Sequence, residues 1–150
     1  MKELKVNLFN SKKELVATSI ELSKFNIFIG NDFYNIRAII KSSRLEDLVD
    51  GYGDFGSTDC ISEHKRLVYG FVRHYYNKNK IAVIHTDSQF VLYAFNNLIF
   101  NYIVKDKMPA DLRDEMTCKD IMIDPNDIRI YQVEDGIVTL IQNKDGLIEY

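Results

Sequence analysis

Residues 24–37 read KFNIFIGNDFYNIR, and the hydrophobic period changes across a single glycine. Phe25 to Ile29 form a short apolar run broken only by Asn26, whereas Phe33, Ile36, Ile39 and Ile40 recur at helical spacing. The segment predicts a short apolar strand that runs into Gly30 and then directly into the start of a helix.

The rest of the chain can be arranged around that junction. Leu4, Val6 and Leu8 alternate with Glu3, Lys5 and Asn7, the pattern of a half-buried strand. Asn10-Ser11-Lys12 signals a turn, and Leu15 to Ile20 reads as a second strand, so that Phe25–Ile29 becomes the third strand of an antiparallel meander. The helix after Gly30 is expected to end near Asp50-Gly51. Residues 50–59, DGYGDFGSTD, are rich in glycine and read as a surface loop. Leu67, Val68, Phe71, Val72, Tyr75 and Tyr76 mark an amphipathic helix, within which Gly70 costs about 1 kcal/mol relative to Ala.

Ile81 to Ile84 is a short apolar run expected as a buried parallel strand. Ser88 is placed to cap the next helix, Gln89 to about Val104, which is apolar on most sides and therefore expected to be central. Pro109 begins a polar connector. Ile128 to Val133 and Ile137 to Ile141 alternate on either side of Glu134-Asp135-Gly136, a hairpin with Asp-Gly at its tip. The sequence contains no internal repeat and no low-complexity tract.

Composition narrows the class. A chain of 150 residues is expected to form a single domain, residues 1–150, burying about 70% of its unfolded surface. A net charge of −3 gives no broad attraction to nucleic acid or to anionic membranes. Two cysteines, Cys60 and Cys118, cannot build a disulfide framework and read as reduced cytosolic residues. No apolar stretch reaches bilayer-spanning length and the N-terminus lacks a signal-peptide core. The expectation is a soluble, cytoplasmic protein.

A strand, a glycine and a helix are also the frame of a phosphate-binding loop, which continues as four residues, Gly, Lys and Ser or Thr. Counted from Gly30, through Asn31 and Asp32, those last three positions hold Asn35, Ile36 and Arg37. The lysine must reach the β- and γ-phosphates and the hydroxyl must hold Mg²⁺. Isoleucine and arginine do neither. On this count the loop is a degenerate phosphate site.

Three segments carry a resemblance. IELSKFNIFIGND (Ile20 to Asp32) and HTDSQFVLYAFNNLI (His85 to Ile99) resemble the opening and the late strand–helix of the ABC/SMC-like ATPases of the overcoming-lysogenisation-defect (OLD) type. DPNDIRIYQVEDGIVTLIQNKDGLI (Asp124 to Ile148) is similar to the tail of such proteins. The family's switch histidine falls at Asp87 in this frame, and His85 lies two residues upstream, so the switch too is degenerate. The family's middle region holds a glutamine loop, a signature motif and an apolar strand ending in Asp-Glu. Only about forty residues separate Lys41 from Lys80, and none of these motifs occurs among them. The resemblance thus covers the first forty or so residues and about the last seventy.

What the resemblance implies is an α/β fold: a miniature ABC-ATPase-like half with an antiparallel N-terminal sheet, a small parallel core, packed helices and a C-terminal hairpin. It implies a catalytically inactive, ATPase-like protein without a cofactor. The family works as dimers that complete each other's active sites, so a truncated relative would pair with, and regulate or inhibit, an ABC/SMC-type ATPase, for example as a phage or mobile-element inhibitor of a host defence system. The alternative is a module that senses a nucleotide or another anion without hydrolysis, using the first-turn amides after Gly30, with Arg37 assisting and Asp32 opposing.

Other candidates weigh less. His85, Asp87 and Ser88 crowd one strand end, a spacing that does not give a nucleophile, base and orienting acid. His64, His74, His85, Cys60 and Cys118 supply no second close pair for a tetrahedral metal site. Asp54-Phe55-Gly56 spells a kinase metal motif without its companion signatures. Around residues 46–63 lie Glu46, Asp47, Asp50, Asp54, Asp59 and Glu63. With Tyr52 and Phe55 as aromatic anchors beside Asp54 and Asp59, this stretch reads either as a solvated loop or as a protein-binding patch. A DNA mimic would need far more carboxylate than a net charge of −3 provides.

Overall fold

The computed structural model describes residues 2–55, 61–76, 78, 80–107, 109, 111 and 121–149. Two strands, β1 (Lys2–Phe9) and β2 (Leu15–Leu22), form an antiparallel hairpin. The chain continues through β3 (Phe25–Ile29), α1 (Phe33–Leu45), β4 (Gly51–Phe55), α2 (Ile61–Tyr75), β5 (Ala82–Thr86), α3 (Gln89–Val104), a 3₁₀ turn (Pro125–Asp127), β6 (Ile128–Glu134) and β7 (Ile137–Leu140). The last five strands make one sheet in the order β4-β5-β3-β6-β7, parallel except for the final antiparallel pair. The described residues form an α/β fold with an N-terminal hairpin and three α-helices.

β3 sits at the centre because both of its faces are covered. Phe25 and Ile27 face α2 and α3, joined there by Ala82 and Ile84 of β5 and Ile128 and Ile130 of β6. Phe28 faces the other way, with Val83, Tyr131 and Val133, toward Ile36, Ile39 and Ile40 of α1 and the inner face of the hairpin, Leu4, Val6, Leu8, Ile20 and Leu22. The chain leaves β3 in one direction through α1 and returns through α2 and α3 in the other. Crossovers of one hand then place α1 on the opposite face from α2 and α3.

Several expectations need correction. β3 does not extend the hairpin into a meander. Asn26 diverts it: this fully buried amide accepts from the Ser23 backbone N–H at 2.7 Å and donates to Ser23 O at 2.8 Å and Ala82 O at 3.2 Å. The entry to β3 is thereby tied to β5. The stretch read as a surface loop contains an edge strand, β4, over residues 51–55, while 56–60 lie outside the described residues. Its glycines serve packing. A Cβ on Gly51 would lie 2.2 Å from the Tyr75 phenol oxygen, and one on Gly53 would lie 3.1 Å from the Phe71 ring. Without side chains there, the aromatic edge of α2 closes onto bare backbone.

α1 ends at Leu45, five residues before the expected Asp50-Gly51. Asp47 turns the chain in the left-handed region (φ +53°), and the Leu48 N–H bonds Ser43 O at 3.0 Å. That turn carries Leu48 back against the core while Leu45 stays exposed. Ser88 occupies the N-cap position of α3 but its side chain makes no capping bond. Its own N–H is taken by Thr86 Oγ1 at 3.0 Å. The C-terminal hairpin is as expected: Asp135 (φ +51°) and Gly136 (φ +78°) both adopt positive φ, the two-residue turn that matches strand twist.

Candidate functional site

The parallel strands end together on one side of the sheet. Ile29 lies opposite Thr86, so Gly30 and Asp87 follow at neighbouring strand ends. α1 leaves β3 on one face and α3 leaves β5 on the other, so the sheet's topological switch falls between these two strands, where α/β folds place their crevice.

The Gly30 loop borders a cleft of about 740 Å³ lined by Phe9, Asn10, Ser11 and Lys13 of the first hairpin, by Gly30, Asn31, Asp32, Tyr34 and Asn35, and by residues 132–135. Gly30 has φ +122°, and a Cβ there would stand 2.5 Å from Val133 O. The glycine lets β3 approach β6. Asp32 is the N-cap of α1, and its carboxylate accepts from the Asn35 N–H at 3.4 Å, from Asn35 Nδ2 at 2.8 Å and from the Gly136 N–H at 2.9 Å. Asn35, buried, also brackets Phe9: its Oδ1 accepts from Phe9 N at 2.9 Å and its Nδ2 donates to Phe9 O at 2.8 Å. One carboxylate and one amide therefore join the end of β1, the start of α1 and the tip of the last hairpin.

This arrangement has an electrostatic consequence. The first turn of a helix attracts anions, and here Asp32 already supplies one from within the chain. Asp32, Glu134 and Asp135 border the cleft against the single lysine Lys13, a balance unfavourable to a triphosphate. The six residues of the degenerate loop do not act together. Gly30, Asn31, Asp32 and Asn35 meet the cleft, Ile36 is buried in the core between α1 and the hairpin, and Arg37 is exposed on a different flank of α1.

His85 and Asp87 also separate. His85 faces α1, with the Phe33 ring edge-on at 5.5 Å between centroids, and its Nδ1 lies 3.6 Å from Asp54 Oδ1. Its Nε2 is buried without a hydrogen-bond partner among the described residues. Asp87 is exposed at the strand end.

The aromatic patch divides as strand alternation requires. Tyr52 and Asp54 lie on the α1 side of β4, whereas Phe55 turns to the other face and meets Phe71 at 5.7 Å between ring centroids. Asp59 lies outside the described residues, as do Cys60 and Cys118. Tyr52 forms part of a second groove, of about 430 Å³, with Arg37, Ile40, Lys41, Arg44 and Leu45. Burial raises the Tyr52 pKa, and Asp54 adds to that, while Arg37 and Arg44 pull it down. Lys41 and Arg44 escaped the sequence reading; the usable signal was three cations at positions 37, 41 and 44 of a helix that carries no acid.

Among the described residues no three His, Cys, Asp or Glu side chains gather as a metal site. No helix among them is long and apolar enough to cross a membrane. No protein-family model, no curated protein and no solved structure matches the chain.

Proposed function

We propose that this chain is a catalytically inactive, ATPase-like protein, a miniature of an ABC-ATPase half, that acts by binding and regulating another protein. The reading rests on one observation above the others. The position at the N-terminus of α1 that would receive a phosphate is filled by the Asp32 carboxylate, locked by Asn35 and Gly136. Support also comes from the placement of Gly30 and Asp87 at adjacent strand ends, the arrangement the sequence resemblance calls for. The partner class follows from that resemblance: an ABC/SMC-type ATPase, paired with a subunit unable to complete its active site.

The same observation weighs against nucleotide sensing at this loop, because a bound phosphate would have to displace or face an internal carboxylate. The test has two parts. Calorimetric titration of the purified chain with ATP and Mg²⁺ gives no binding heat, and tagged chain captures an SMC-like ATPase from bacterial lysate whose turnover falls when the purified chain is added back. Hydrolysis of ATP by the chain itself, or a captured ATPase whose rate is unaltered by a stoichiometric excess, overturns the proposal.

A further inference from the structure

The flank of α1 facing away from the cleft has a distinct chemistry. Arg37, Lys41 and Arg44 stand at i, i+4 and i+7, so they share one face of the helix. All three are exposed, and among the described residues no carboxylate forms an ion pair with them. They overhang the second groove, whose apolar floor is Ile40, Leu45 and Tyr52. Leu45 is 77% exposed and Tyr52 41%. Beside that floor runs β4, the outermost strand on its side of the sheet, so among the described residues one edge of its backbone lacks a ladder partner. An unpaired edge next to a groove is the geometry of strand addition, in which main-chain bonds give affinity and alternate side chains give choice of partner.

Charge selects the occupant. A second copy paired β4 to β4 would bring two sets of three cations together, a repulsion that disfavours self-association through this edge. We propose that the groove receives an extended acidic segment of a partner protein, laid as a sixth strand along β4. Its carboxylates reach Arg37, Lys41 and Arg44 on the α1 face of the sheet, and its apolar side chains, which alternate to the other face, rest beside Phe55 and Phe71. Asp54, 3.6 Å from His85 and beside Tyr52, repels carboxylates at its own end of β4, so the acidic contacts fall along the helix wall at Arg37, Lys41 and Arg44. The proposal deepens the partner-binding reading by naming the surface and the chemistry that recognises it, and it rests on that reading only in taking the ligand to be a protein.

A fluorescein-labelled octapeptide of alternating Glu and Val, capped at both ends, is titrated with the full chain and followed by anisotropy; the Lys–Val peptide is the control. The Glu–Val peptide binds and the Lys–Val peptide does not. Arg37→Glu with Arg44→Glu weakens binding about tenfold or more, Arg37→Lys with Arg44→Lys retains most of it, and both double variants keep the thermal midpoint of the parent. Hydrogen exchange shows added protection in Gly51–Phe55 on binding. Equal binding of both peptides, indifference to charge reversal, or protection arising elsewhere overturns the proposal, as does single-stranded DNA displacing the peptide from this groove. Absent peptide binding with silence toward ATP removes this groove but leaves the ATPase-partner reading standing; ATP binding at the α1 N-terminus removes that reading and leaves the groove.

Discussion

Asn35→Ala tests the central structural claim, that the loop after Gly30 is an internal polar lock. The Asn35 side chain is 3% exposed and makes three bonds: two to the Phe9 backbone, at 2.9 and 2.8 Å, and one to the Asp32 carboxylate at 2.8 Å. The two neutral bonds contribute about 1 kcal/mol each and the charge-assisted bond about 2 kcal/mol. Alanine returns roughly 0.6 kcal/mol of helix propensity. The expected loss is about 3 kcal/mol, which for a domain of this size lowers the thermal midpoint by about 10 °C. Urea titration and thermal melts by circular dichroism read it directly, and hydrogen exchange should show the Phe9 amide losing protection. Asn35→Asp sharpens the test. It keeps the acceptor for the Phe9 N–H but sets a second carboxylate against Asp32. At neutral pH that variant is at least as destabilised as Asn35→Ala, and it recovers as acid protonates one of the pair, whereas Asn35→Ala does not. A loss below about 1 kcal/mol, or no acid recovery in Asn35→Asp, would show that these bonds do not hold the segments together.

Gly30→Ala should cost about 2 kcal/mol or more in urea titration, because it forces a side chain to φ +122° and against Val133 O; a near-neutral result would refute the packing role given to this glycine. His85→Leu is expected to change stability by less than about 1 kcal/mol, since removing an Nε2 that is buried and unpartnered among the described residues offsets the loss of the edge-on contact with Phe33 and of a loose contact with the exposed Asp54; a loss above about 2 kcal/mol would show that the imidazole has a role not visible in its contacts. Tyr131 is buried and bonds Glu21 O, and burial raises its pKa above the ordinary 10.0. The folded state then holds that proton more tightly than the unfolded chain, so the associated stability is complete below pH 10 and declines as pH rises through the folded pKa. Tyr131→Phe should lose about 1 kcal/mol at neutral pH yet show a shallower alkaline decline in thermal midpoint; an unchanged slope would refute the assignment.

Elements whose signal is local were legible. The uncharged helix over Gln89–Val104 is a long apolar run bounded by Ser88, a signal carried by its own residues, and Asp135-Gly136 fixes its turn by backbone preference alone. Elements whose signal lies in a distant partner were not. β4 reads as a loop because Gly51 and Gly53 have low strand propensity, and the aromatic rings that make glycine the right residue there sit at positions 71 and 75. The departure of β3 from the hairpin depends on Asn26 finding Ala82 O, a contact 56 residues away in sequence. At the candidate site, the motif count assigned Asn35 and Ile36 roles defined by what they lack. Their own chemistry, an amide able to satisfy a strand end and an apolar side chain able to enter the core, becomes apparent only with β1 in place.

Gly30 has two sufficient explanations, and the residues beside it decide how they are weighed. A phosphate loop needs glycine so that backbone can approach the ligand, and the β3–β6 pair needs glycine so that Val133 O can approach the backbone. If a phosphate were the reason, the neighbouring donors would be left open toward the cleft. Instead the Asn35 amide points its Nδ2 at Phe9 O and Asp32, while Asp32 takes the Gly136 N–H. The Asp32 and Asn35 side chains are both directed to partners within the chain, so the turn is better suited to rigidity than to ligand exchange. The cations that the same helix carries follow the opposite course: among the described residues Arg37, Lys41 and Arg44 have no carboxylate in an ion pair on the far flank, over an apolar floor and a strand edge without a ladder partner. For the partner proposed above, cations and a strand edge left unpaired among the described residues move the expected point of contact from the N-terminus of α1 to its side.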